Sequence, residues 1–546
     1  MEYAYPIEII DEYVEKGYWN SVITADLCDE NALKYPDDEA LVDSRKRLTW
    51  RQVKEKTDTL ALSLLDMGFQ PGDVLLAQLY NCVDFFLLRV ASEKAGIMLL
   101  SAAATYSHLE LRSIIMDAGV KGAVLPKEFR GFDYYSMAKN IQSGYPGLKH
   151  IIVVGEDVPN HAIPFDSLLE RKERAIKYDL RKTKISAFGC CAIVPSAGST
   201  GRSKLGIWPC CARLFSAKQY VKKLGLTHND ISIALGPFHS GASDHVCYFA
   251  ALLAGLKVVF LERFTAEAAC ALIEKEKVTI TGAVPTLLIR LLGYADLNKH
   301  DLSSLRIVFS STAALSSQTA MEIQQRLECR IADGYGSLES GSVALTFLDE
   351  AFTGSKQAFH KIIPGVEVSI ADEKGNEVAG GEIGEVRVCG PGCPPGYYNN
   401  PEETAKVHKE GWVYMREDGK IDEEGNLMLA GRKRDIIMRG GQNIYPREID
   451  ELLLQHPNVR EVAVVSMPDP EMGEKACAYV VTKAGRKLSF DEMISFLRGM
   501  GVANFKLPER LEIIAEMPLV AGQHKIEKKA LEKDIAEKLR INEIKR

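Results

Sequence analysis

None of the twelve cysteines is spaced as a CxxC pair, which removes the usual signature of a structural zinc or dithiol redox site. The adjacent pairs Cys190/Cys191 and Cys210/Cys211 and the looser Cys389-x-x-x-Cys393 read as reduced, buried thiols. Long hydrophobic runs are missing too. The longest, Val246 to Leu261, is broken by Lys257 and falls short of the roughly 20 residues that span a bilayer. The N-terminal MEYAYPIEIIDEY lacks the basic region and apolar core of a signal peptide, so a cytoplasmic location is expected. No strong charge excess exists: the net charge is -7 over 546 residues, which offers no basic footprint for nucleic acid. Internal repeats and low-complexity linkers are likewise missing.

What is present is a chain long enough for several cores, since single domains stop growing near roughly 250 to 300 residues. RQVKEKTDTLALSLLDMG, then the turn QPGD, then VLLAQLY alternate helical and strand periodicity. LELRSIIMDAG with VKGAVLP, and AEAACALIEKEK with VTITGAVP, repeat that rhythm. The alternation predicts an α/β architecture with buried, largely parallel sheets. From about residue 365, VEVSIADEKGNEV, GEVRVCGPG and GKIDEEGNLMLAGR predict a β-rich subdomain of short strands and tight turns. A small α+β domain follows, ending in a solvated helix of mixed charge. The expected division is residues 1–432, with two α/β subdomains and the β-rich one, and residues 433–546.

The segment SAGSTGRSKLGIWP, residues 196 to 209, carries glycines and hydroxyls ahead of a lysine. It follows the predicted strand AFGCCAIVPS and precedes the predicted helix CARLFSAKQYVKKLG, so it is expected to join strand to helix, where α/β sheets bind ligands. Gly198 and Gly201 let backbone N–H groups turn inward, Ser196, Ser199 and Thr200 add hydroxyls, and Lys204 adds a charge suited to phosphate oxygens. Ser203 and Leu205 flank that lysine, which excludes a Walker A loop. No G-x-G-x-x-G stands between a strand and a helix, so a dinucleotide fingerprint is also excluded. By itself the segment fits an ordinary Ser/Gly turn as well as a nucleotide loop.

Together with ADGYGSLES, GEIGEVRVCGPGCPPGYYNNPEET, GWVYMREDGKIDEEGNL, GRKRDIIMRGGQNIYPREID and HKIEKKAL, the loop resembles the adenylate-forming superfamily of acyl-CoA synthetases, adenylation domains and luciferases. The resemblance runs from about residue 20 to 535. Its Lys-Leu continuation and C-terminal region are most similar to aryl-acid-activating ligases of the 2,3-dihydroxybenzoate-AMP ligase type. The resemblance implies ATP, Mg²⁺ and CoA, or a carrier protein's phosphopantetheine, as co-substrates. Loop residues 196 to 204 would hold the phosphates. Asp333 would accept the adenine amine, Tyr335 would stack on adenine beside Gly334, and Glu339 with Thr200 would hold Mg²⁺. Glu417, or Asp418 one residue on, would take the ribose hydroxyls with Arg432. Arg434 would be the hinge of a mobile C-terminal domain, Gly440 and Gly441 would pass the pantetheine arm, and Lys525 would be the catalytic lysine.

Four positions depart from the family pattern: Leu338 for threonine, Glu417 for aspartate, Pro209-Cys210 for Thr-His, and His524 for glycine. The acid pocket is expected between GPFHSGASDHV, GAVPTLL and Gly334, with His239 either in its wall or a structural histidine and Gly241 leaving room for a ring. The His-Asn element of dihydroxybenzoate activators has no counterpart in FHSG. The implied reaction joins an aromatic, cyclic or medium-sized carboxylic acid to AMP, releasing pyrophosphate, and then to the thiol of CoA. Loading of an acyl or aryl carrier protein, and a nucleotide-binding homologue with reduced catalysis, stand as alternatives.

Overall fold

The computed structural model describes residues 4–170, 178–196, 203–239, 241–311, 315, 317–348, 359–432, 435–439, 442–469, 472–502, 504–520 and 525–544. Two parallel-rich sheets dominate the N-terminal part. In the eight-stranded sheet the order is 341–347, 330–337, 307–311, 280–283, 231–234, 257–260, 39–42 and 47–49. Its inner strands are parallel, and an antiparallel pair closes each edge. The seven-stranded sheet runs 205–209, 190–195, 98–101, 74–77, 120–126, 150–154 and 163–164. Strands such as Val74–Ala77 and Ile280–Ala283 are buried on both faces, as sheets covered by helices on both sides require.

The predicted helix–strand rhythm is present. Trp50–Asp66 is a helix whose N-cap Thr49 accepts from the Gln52 N–H while the Gln52 side chain accepts from the Thr49 N–H, a reciprocal cap. His108–Ala118 and Ala266–Glu276 are helices followed by the strands Val120–Pro126 and Ile280–Ala283. The apolar run after Val246 divides into the π-helical turns Asp244–Phe249, a short helix and the strand Lys257–Phe260. No described helix is long and apolar enough to cross a membrane.

Antiparallel strands 367–371, 384–389, 412–421, 408–409 and 427–432 form the β-rich unit. Beyond it, strands 442–444, 437–439, 473–482 and 459–469, with 510–513 parallel to 473–482, carry the helices Pro446–Leu453, Phe490–Gly499 and Lys528–Ile544. This small α+β unit has its own apolar clusters, one around Ile449, Val464 and Leu497 and another around Tyr479, Leu531 and Ile535.

One expectation is corrected. The loop ending at Lys204 joins strand to strand, because LGIWP is itself a strand, Leu205–Pro209, antiparallel to Cys190–Pro195. Its other edge is held by the GYYNN segment: the Ile207 N–H donates to the Gly396 carbonyl at 2.9 Å and the Tyr398 N–H to the Leu205 carbonyl at 2.6 Å. Pro209 ends the strand and caps the helix Cys210–Leu224, so no turn residue separates the two and the short strand is hidden in the sequence.

Candidate functional site

Asp333 and Tyr335 lie on the strand Arg330–Ser337. The Tyr335 hydroxyl donates to Glu417 Oε2 at 2.8 Å, from the strand Trp412–Ile421 of the β-rich unit. In the backbone ladder residue 417 is directly opposite residue 432. Asp418 pairs with Gly431 and Glu385 and, as the next residue along the strand, points to the opposite face. The structure therefore brings Glu417 beside Tyr335 and leaves Asp418 out of that group.

A residue that the sequence did not single out completes the cluster. His360 is buried, with its ring 5.7 Å from that of Tyr335 and its Nδ1 3.8 Å from Asp333 Oδ2. Among the described residues, Asp333 Oδ1 and both ring nitrogens of His360 have no hydrogen-bond partner. Buried polar atoms are rarely left so, and acceptors and donors converging on one aromatic face suit a planar heteroaromatic base. Burial lowers His360 to about 3, so the ring is neutral. Burial also raises Asp333 from 3.8 to about 7, with Arg447 on the helix Pro446–Leu453 acting in the opposite sense. Arg447 is also close enough to Glu417 to be held in its charged form by it.

A pH dependence follows. The folded-state value of Asp333 lies above its unfolded one, so the stability it contributes is complete below about pH 4 and is lost as pH rises through about 7. Wild-type protein is expected to lose unfolding free energy over that window relative to Asp333→Asn, read by denaturant melts at a series of pH values. If Asp333 accepts a base amine, as the resemblance implies, the carboxylate is the favoured form. Nucleotide affinity should therefore rise by up to about tenfold per pH unit below pH 7, with proton release seen by calorimetry in two buffers. Flat profiles in both assays would exclude this role.

Lys204, expected on the phosphate side, has its Nζ 2.5 Å from Glu403 Oε2 and 5.1 Å from the centre of the Tyr397 ring. The Ser196 and Lys204 backbones close the base of the loop: the Ser196 N–H donates to the Lys204 carbonyl at 2.7 Å, and the Lys204 N–H to Ser196 Oγ at 2.9 Å. Gly198, Ser199, Thr200 and Gly201 lie outside the described residues. The Tyr397 hydroxyl donates to Glu339 Oε1 at 2.5 Å, so the expected metal carboxylate and phosphate lysine meet over one tyrosine.

Leu338, the apolar departure, packs on this hairpin: a Cβ built on Gly206 would stand 2.7 Å from Leu338 Cδ1 and 2.9 Å from its Cγ. Gly206→Ala should therefore cost about 1–3 kcal/mol. Most of that cost should vanish when Leu338→Ala is made in the same chain, and a double-mutant cycle without coupling would refute the contact.

The three segments expected to form the acid pocket converge. Ser243 Oγ donates to the Gly282 carbonyl at 3.1 Å, and a Cβ on Gly282 would meet the Ala242 backbone at 2.7 Å. Gly334 faces the Phe309 ring and the Tyr220 hydroxyl. His245 stacks on Tyr220 with ring centres 4.4 Å apart, and its Nδ1 has no partner among the described residues. His239 is next to the Phe85 ring, at 5.8 Å between centres. Burial and the Arg89 charge lower it to about 4, so its ring is neutral. Gly241 opens the short helix Gly241–Ser243 with φ 57°.

A model of the "AMP-binding enzyme" family matches residues 28–398, and one of the "AMP-binding enzyme C-terminal domain" matches residues 448–522. The chain belongs to the AMP-binding enzyme family. It is 31% identical over 98% of both chains to a 2,3-dihydroxybenzoate-AMP ligase of Bacillus subtilis (strain 168). With a medium-chain fatty-acid–CoA ligase of Escherichia coli (strain K12) it shares 30% identity, covering 96% of this chain and 93% of that one. The solved structure of ATP-bound MatB from Rhodopseudomonas palustris superposes with a TM-score of 0.80 at 25% identity, covering 93% of this chain and 98% of that one.

In this AMP-binding enzyme, the Lys525 carbonyl accepts from the Val520 N–H at 2.8 Å, beside the Leu519–Ile526 bridge. The small unit reaches toward Asp333 and Glu417 through Arg447. The backbone of Arg432 ends the strand Leu427–Arg432, whereas Arg434, Gly440, Gly441 and His524 lie outside the described residues. Arg447 stood within a recognised motif, but its role depends on how the small unit packs. His360 reaches the base cluster through bridge hydrogen bonds to Leu427, a pairing across the sequence that no local spacing signals.

Proposed function

We propose that this adenylate-forming enzyme activates an aromatic, cyclic or medium-sized carboxylic acid and passes the acyl group to CoA. An acid oxygen attacks the α-phosphorus of ATP, the bond to pyrophosphate breaks, and an acyl-adenylate forms. The CoA sulfur then attacks the acyl carbon, the bond to AMP breaks, and the thiol proton leaves to solvent. The observation that carries the reading is the convergence of Asp333, Tyr335 and Glu417 with the neighbouring Lys204–Tyr397–Glu339 group.

In this reading Lys204 exchanges Glu403 for phosphate oxygens, Glu339 would hold Mg²⁺, which when bound would offset phosphate charge, and Lys525 bridges the acid and the α-phosphate. Glu417 and Arg432 hold the ribose. The small domain, beginning at residue 433, turns about Arg434 between the half-reactions, exchanging Lys525 for the Gly440–Gly441 loop. The test is the product spectrum with ATP, Mg²⁺, CoA and a mixed acid library. AMP with a CoA thioester supports the proposal. Adenylate that moves only to a holo-carrier protein replaces CoA as acceptor, and neither product across diverse acids overturns the proposal.

A further inference from the structure

The Pro209-Cys210 departure acquires a chemical setting in the fold. Cys191 lies at an irregularity of the strand Cys190–Pro195, just ahead of the phosphate loop, and Cys210 is the first residue of the helix after it. Glu93 projects to the same point from the buried helix Val83–Ala95. All three residues are buried, with exposures of 4% for Cys191, 1% for Cys210 and 6% for Glu93. One ligand atom from each lies within 4.8 Å of the other two.

We propose that Glu93, Cys191 and Cys210 form a buried structural site for a thiophilic divalent cation of the zinc class, pinning both ends of the phosphate-loop hairpin. Cys210 Sγ is 3.5 Å from Glu93 Oε1. Zn–S of about 2.3 Å and Zn–O of about 2.0 Å at a tetrahedral angle place sulfur and oxygen about 3.5 Å apart, so that edge is already set. The second carboxylate oxygen, Oε2, accepts from the Ala25 N–H at 3.1 Å, which turns Oε1 toward the sulfurs in the way outer-shell donors orient metal ligands. Cys210 also begins a 15-residue helix; its hydrogen bond with Cys191 and its burial push its thiol well above the ordinary range, so it carries its proton until a cation displaces it.

The charges fit as well. Arg89 and Arg213 both pair with Asp244, so two guanidinium groups share one carboxylate and leave one positive charge uncompensated. Arg89 acts on Glu93, and Arg213 on both cysteines. A dication with two thiolates and a carboxylate carries one net negative charge, which this surplus balances. Cys191 Sγ donates to the Trp208 carbonyl at 2.9 Å, so loading releases the two thiol protons to solvent.

The probe is Zn²⁺ supplied to the full-length chain during expression or refolding, followed by gel filtration and elemental analysis. About one zinc per chain is expected. It should be lost in Cys191→Ala, Cys210→Ser and Glu93→Gln, and kept in Cys477→Ala, whose thiol is buried in the C-terminal unit. Wild-type protein refolded with Co²⁺ should show a thiolate-to-cobalt charge-transfer band, a readout that stands even if the variants fail to fold. The proposal is overturned by wild-type protein that retains no metal, by retention unchanged in all three variants, or by a Cys191–Cys210 disulfide in peptide maps of the purified chain.

Discussion

Lys525→Ala is expected to slow acyl-adenylate formation by about 10³-fold, the scale of removing one preorganised charge from a transition state, while nucleotide binding persists. A carboxylate and a triphosphate repel each other, and the attack adds negative charge at the α-phosphorus. A single ammonium bridging both reactants therefore acts mostly on the transition state and lowers the rate constant more than the affinity when removed. The variant should fold, because Lys525 supplies its backbone carbonyl to the Val520 N–H and alanine keeps that group. Given preformed acyl-adenylate, the variant should transfer the acyl group to CoA at close to the wild-type rate. Equal loss in both half-reactions would point to damaged folding, and unchanged pyrophosphate release in single turnover would remove Lys525 from the chemistry.

Glu339→Gln is the second large effect. The substitution keeps the side chain's size and its ability to accept from the Tyr397 hydroxyl, but removes the negative charge that a hard cation requires. A loss of several kcal/mol of transition-state stabilisation is expected, seen as a rate fall of about 10² or more with partial recovery at raised Mg²⁺. Tyr397→Phe should produce a smaller fall with a shifted Mg²⁺ dependence, since the hydroxyl orients the carboxylate and does not carry the charge. A Glu339→Gln enzyme with wild-type rate and Mg²⁺ dependence would assign the metal elsewhere.

The helix and strand order of the two α/β sheets was legible because 3.6- and 2-residue apolar periods alternate with glycine and proline turns, as in RQVKEKTDTLALSLLDMG and LELRSIIMDAG. Lys204, Asp333, Tyr335 and Glu339 are legible as motif letters, and the fold brings Tyr335 to Glu417 and both Lys204 and Glu339 to Tyr397. The strand Leu205–Pro209 was missed because proline ends it and starts a helix at once. Glu417 and Asp418 were inseparable as letters and became distinct only through strand alternation next to Tyr335. His360, Arg447 and the Glu93–Cys191–Cys210 cluster depend on contacts between elements far apart in sequence. Leu338 reads in sequence as a lost hydroxyl and in the fold as the partner of Gly206.

The most direct test of the central claim is acid-dependent exchange of labelled pyrophosphate into ATP by the wild-type enzyme, with Mg²⁺, no thiol, and aromatic, cyclic and medium-chain acids supplied separately. Reversible adenylate formation predicts exchange that is absent without acid and strong for at least one of these classes. ATP binding with no exchange above the acid-free background for any acid would contradict it and leave a nucleotide-binding protein without ligase chemistry.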